Sequence, residues 1–166
     1  GRPCGLDAHV FEDLDAALEI ARDVGIGLVL VLLDHSWMFR GVIDRVADEV
    51  SGAMLEVTLP AGRAPVLHAE EGRVALVDHV FTPIVERYGP GGARADLAPA
   101  VFAYEAMNEP DFVVEEWERD LSPRVDRPLR FEALAELVGW FSALVHTHTT
   151  ALSTMSAARL HNLWAW

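Results

Sequence analysis

Residues 26–33 read IGLVLVLL, a stretch without a single polar side chain. A run that short and that continuous is a strand covered on both faces, which is the pattern of a parallel sheet with helices packed against it. A strand with one wet face would alternate, and a membrane span needs ~20 apolar residues. Parallel neighbours are joined by crossovers, so the flanking sequence has to supply helices.

It does. Residues 7–24 place Val10, Phe11, Leu14, Ala17, Leu18, Ala21 and Val24 on one helical stripe, and Gly25 is a C-terminal stop. Residues 70–88 carry a second stripe through Val74, Val77, Val80, Phe81, Ile84, Val85 and Tyr88, with Pro83 expected to kink or divide the helix. A third helix spans 127–149, buried through Phe131, Leu134, Leu137, Phe141, Leu144 and Val145. PAVFAYEAM (99–107) and ALSTMSA (151–157) read as two further strands. Residues 34–69 show no sustained period; a short helix around 41–50 is expected there, inside a long connection at the C-terminal end of the first strand. The order is that of an α/β fold with parallel strands alternating with helices, in one domain, 1–166. Periodicity alone leaves two closures, an open doubly wound sheet or an arc of a (β/α)8 barrel.

Composition narrows the function classes. The chain is 51% hydrophobic and 23% charged, as a globular domain is, and its net charge is −13 with every basic residue an Arg. Such a surface repels phosphate backbones, so nucleic acid is not expected as a partner, and with no apolar run near the ~20 residues of a span neither is a membrane. Cys4 is alone and forms no internal disulfide. The N-terminus lacks the apolar core of a signal peptide and an initiator Met, so the chain is expected to start inside a longer protein and its compartment stays open.

The strand at 99–107 ends on Asn108, Glu109 and Pro110. The C-terminal mouth of a parallel strand is where α/β proteins put reacting groups. Glycoside cleavage needs one carboxylic acid to protonate the departing oxygen and a second carboxylate to attack the sugar or activate water. A neighbouring amide can bond a sugar hydroxyl, and the proline fixes the backbone as it leaves the strand. The same three residues also suit an ordinary turn.

YEAMNEP (104–110) resembles, position for position, the aromatic-Glu-x-x-Asn-Glu-Pro pattern on strand four of clan A glycoside hydrolases, the retaining (β/α)8-barrel enzymes that include cellulases and endo-β-mannanases. LDAALEIARDVGIGLVLVLLDHSWM (14–38) is similar to their helix-two to strand-three segment, VFTPIVERYG to the helix before strand four, and ALSTMSAARLHNLW sits where strand five follows. The resemblance implies a partial TIM barrel covering strands three to five, with Glu109 as general acid/base, Asn108 binding the sugar's 2-hydroxyl, and no cofactor. It also implies that His35 lines the site and that Glu105 is structural. Trp37 is a candidate sugar-stacking platform, since an aromatic face suits the apolar face of a pyranose; His35 at a strand end and Trp37 in packing are the plain alternatives.

A complete barrel of this type needs roughly 250 residues and eight strands. The sequence supplies three, and the family's nucleophile, a Glu ending strand seven, has no counterpart here. Glu56 is a remote substitute. The chain is therefore expected to be the acid/base part of a larger catalytic domain, inactive alone, with a carbohydrate substrate; the alternative is a non-catalytic fragment that binds carbohydrate or self-associates through exposed strand edges. No metal is expected: His146 and His148 are two apart on a helix and point to different faces, and His68 and His79 have no partner at ligand spacing. No Gly-x-Ser-x-Gly elbow is present.

Overall fold

The computed structural model describes residues 2–47, 50–59, 62–115, 122, 124, 125 and 127–158. Helix α1 (Val10–Val24) buries Leu18 and Ala21 and ends at Gly25, whose φ of 75° lets its N–H turn back to the carbonyls of Ala21 and Arg22. Strand β1 (Leu28–Val31) follows.

The next segment corrects the expectation of a helix around 41–50. Val42–Ala47 is strand β2, paired antiparallel with β3 (Met54–Leu59) from Val42 opposite Leu59 to Ala47 opposite Met54. The β-branched residues Val42, Ile43, Val46, Val57 and Thr58 favour a pleated ribbon over a helix. Gly52, at φ 69°, supplies the left-handed turn.

Helix α2 (Ala64–His68) leads into α3 (Glu70–Leu76), a π-turn at Val77–Phe81, and α4 (Thr82–Arg87). Pro83 explains the interruption. It has no N–H to give the carbonyl four residues back, so the turn before it widens, and the Thr82 N–H reaches Val77 O instead. After the Gly-Pro-Gly-Gly loop and a 3-10 turn at Ala95–Ala100 comes β4 (Val101–Glu105). Helix α5 (Phe131–His148) then buries Leu134, Leu137, Phe141 and Val145 and returns the chain to β5 (Leu152–Thr154).

Strands β1, β4 and β5 form one parallel sheet in the order β1-β4-β5. Register aligns Val29, Ala103 and Leu152 in one row, Leu30, Tyr104 and Ser153 in the next, and Val31, Glu105 and Thr154 in a third. The helices lie against the Leu30–Tyr104–Ser153 side: Ser153 Oγ is 2.9 Å from Ser142 Oγ and 3.1 Å from His146 Nε2 of α5. The core fills the space between, around Phe81, Tyr88, Leu97, Tyr104, Leu134 and Phe141.

The opposite face differs from the expectation of a strand covered on both sides. Val29 and Val31 are 45% and 50% exposed, Leu152 is 54%, and Phe102, beside a register shift, is 59%. Among the described residues nothing covers them. The apolar run at 26–33 is thus that of a two-sided strand whose second side is bare here.

Candidate functional site

Beyond the strands the parallel pairing continues for one more step, and this builds the site. Asp34 and Asn108 form an isolated parallel bridge in which Asn108 N–H donates to Leu33 O (2.9 Å) and His35 N–H donates to Asn108 O (3.1 Å). Asp34, His35, Asn108 and Glu109 therefore come together at the C-terminal ends of β1 and β4. Ser156, two residues past β5, joins them.

Asn108 is held at both ends of its amide. Its Nδ2 donates to Asp34 Oδ2 (2.9 Å), and its Oδ1 lies 3.0 Å from the Ser156 hydroxyl. A carboxylate can only accept, so the NH2 end must face Asp34. Burial pushes the Asp34 carboxyl up, but the bonds from Asn108 and Ser36 outweigh it and hold the group below its ordinary value. Ser156 Oγ is also 2.6 Å from Glu105 Oε1 and accepts the Glu109 N–H at 3.2 Å. Its one proton is contested by Glu105 and Asn108. Glu105 is buried on β4 and anchors this hydroxyl.

Glu109 is the one non-glycine residue with positive φ among those described, at φ 49° and ψ 50°. A side chain there is strained by about 1 kcal/mol or more and persists only where the surroundings impose it. Here the Asn108 bonds before it, Pro110 after it and the Ser156 hydroxyl on its own N–H do so. Its side chain is 37% exposed, with Oε2 3.7 Å from His35 Nδ1. Asp34 Oδ2 is 3.6 Å from the same nitrogen. His35 Nδ1 is buried without a hydrogen-bond partner among the described residues. Its ring is wedged between Phe39 (5.3 Å between centroids) and Phe112 (5.0 Å). The behaviour open to this group is proton transfer at Glu109 beside a fixed amide.

Trp37 follows on a 3-10 turn, His35–Met38, half-buried against the core, with the Arg63 guanidinium 5.4 Å from its ring centroid. One face of the indole is thus occupied by a cation. Glu56 faces Arg45 across the hairpin at 3.4 Å, and no contact joins it to Glu109 among the described residues. Sequence reasoning missed Asp34 and Ser156. Asp34 stands directly before His35 at a strand end, a signal that could have found it; Ser156 has none, since its role depends on register. Among the described residues no group of three or more His, Cys, Asp or Glu is arranged to hold a metal ion, and no helix is long and apolar enough to cross a membrane.

Comparison with protein family models, curated proteins and solved structures finds no match to this chain.

Proposed function

We propose that this chain carries the acid/base part of a retaining glycoside hydrolase acting on β-linked glycosides, within a (β/α)8 barrel. The observation that carries the reading is the backbone of Glu109, held in the left-handed region at the mouth of β4 with its carboxylate half-open beside His35. Strained residues cluster at functional sites because selection otherwise removes them. Glu109 would protonate the departing oxygen and later take a proton from water. One Nδ2 hydrogen of Asn108 goes to Asp34; the other is the donor for a sugar hydroxyl. His35 Nδ1, without a partner of its own, would bond the substrate or Glu109 once a ligand tightens the site. The parallel order β1-β4-β5 and the bare face of Val29, Val31 and Leu152 suit a sheet continued by further strands into a barrel.

Titration of the ¹⁵N-labelled chain with a neutral β-linked oligosaccharide tests this. Shifts at the amides of Asn108, Glu109 and Ser156 are expected, with Asn108→Ala weakening binding about tenfold. Millimolar glycan that leaves these amides unmoved overturns the reading.

The same bare face favours a second reading, a non-catalytic piece that self-associates through it. Sedimentation that is concentration-dependent, and is abolished by Val31→Lys, would support that alternative.

A further inference from the structure

The N-terminal end of the sheet, opposite Glu109, holds a partly enclosed cavity of about 160 Å³, with Tyr88, Ala98, Val101, Tyr104, Thr149 and Ala151 in its wall. Val101 opens β4 and Ala151 directly precedes β5, which sets the cavity beneath the strands. Pro90 and Thr150, both exposed, stand at its rim. Among the described residues no charged side chain lines it. A space of that size takes one molecule on the scale of benzene.

Two of the three hydroxyls inside the rim are committed. Tyr88 OH donates to Asp15 Oδ1 (2.8 Å). Thr149 Oγ1 donates to Val145 O (2.9 Å) and accepts the Ala151 N–H (3.1 Å). The Tyr104 hydroxyl is buried and has no hydrogen-bond partner among the described residues. It is also the end of the ring that points at the cavity. Tyr104 is in register with Ser153, so its backbone stands about 7 Å above Ala151 and about 10 Å above Val101 at ~3.3 Å per residue. Only the phenolic end of the side chain bridges that distance. Burial pushes the phenol up to about 12, so it remains a neutral donor at neutral pH.

A buried water is held by about two to four polar partners, whereas the side chains of this interior offer one uncommitted hydroxyl. A charged molecule would lose its hydration with no opposite charge to replace it. We propose that the cavity binds a small uncharged molecule with an apolar body and a single hydrogen-bond acceptor, a cyclic ketone or ether in class, which accepts from the Tyr104 hydroxyl. The site lies at the far end of the strands from Glu109 and stands or falls independently of the glycosidase reading. The test is NMR titration of the full chain with three probes. Cyclopentanone carries the acceptor, cyclopentane has the same ring without it, and cyclopentanecarboxylate adds a charge. Wild type is compared with Tyr104→Phe, which removes only the hydroxyl, and with Ala98→Leu, which fills the space, each checked for fold by circular dichroism.

Both uncharged probes should shift the amides of Ala95, Val101 and Ala151, and the carboxylate should not. Tyr104→Phe should weaken cyclopentanone about tenfold and leave cyclopentane unchanged, because only the ketone uses the hydroxyl. Ala98→Leu should abolish binding of both. If Tyr104→Phe weakens the two probes equally, or weakens neither, the hydroxyl is not the contact and the proposal is overturned. Binding that survives Ala98→Leu, or a carboxylate that binds as well as the ketone, overturns it too. So does millimolar ketone that leaves the three amides unmoved, or that shifts only Asn108 and Glu109 at the other end of the sheet.

Discussion

At the scale of single residues, Glu109 and Ser156 make opposite predictions for stability. The left-handed backbone at Glu109 opposes any side chain, and glycine has no Cβ to strain. Glu109→Gly should therefore raise stability by about 1 kcal/mol in urea unfolding while removing any chemistry at the site. A loss of stability instead would mean that the carboxylate's contacts outweigh the strain. Ser156→Ala acts the other way. It strips a hydroxyl from Glu105, Asn108 and the Glu109 N–H at once, and should cost about 2 kcal/mol. Its second readout is the Asn108 side-chain NH2 signal, which should lose its single sharp position once one end of the amide is released. An unmoved signal would show that Asp34 alone suffices.

At the scale of elements, α4 ends against a loop whose position 92 has room only for glycine. A Cβ on Gly92 would stand 2.1 Å from Glu86 O and 2.4 Å from Arg87 O, both backbone atoms that cannot swing aside. Gly92→Ala should destabilise by about 2 kcal/mol or more in thermal or urea unfolding, whereas Gly91→Ala is strained only by its positive φ and should cost less. Equal costs would contradict the close approach. The elements were legible to different degrees. The helical stripes of α1 and α5 and the apolar runs of β1 and β4 show in the sequence because each extends over several residues, whereas β5, with no fully buried residue, is marked mainly by its place after α5. The hairpin did not show, because β2 and β3 are each short, largely exposed along β3, and defined mainly by pairing with one another.

At the scale of the whole molecule, the Asp15 carboxylate of α1 gathers bonds from the end of α4 and the segment after it. Asp15 accepts from Arg87 Nε at 3.0 Å, Tyr88 OH at 2.8 Å and Arg94 Nη1 at 2.8 Å. The Arg87 hydrogen bond first, then those of Tyr88 and Arg94, outweigh the effect of burial and hold its carboxyl far below the ordinary value of 3.8. A folded-state pKa below the unfolded one gives stability that is complete above pH ~4 and lost as pH falls below it. Acid unfolding of the wild type should steepen in that window. Asp15→Asn should flatten the slope while costing about 3 kcal/mol at neutral pH, because Arg87 keeps its charge without its partner. Parallel slopes in the two proteins would assign acid sensitivity elsewhere.

By itself the sequence determined the alternation of helices and strands, and it marked Asn108 and Glu109, because side-chain periodicity and a polar ending on an apolar strand are local properties. Tertiary structure decided what those residues can do. Asp34 and Asn108 lie 74 residues apart, and Ser156 meets Asn108 across 48. Only the register of three parallel strands, each separated from the next by a helical crossover, sets those contacts. The bare face of the sheet was hidden for the same reason: an apolar run states that a strand prefers cover on both sides, while the cover itself is supplied by other parts of a fold.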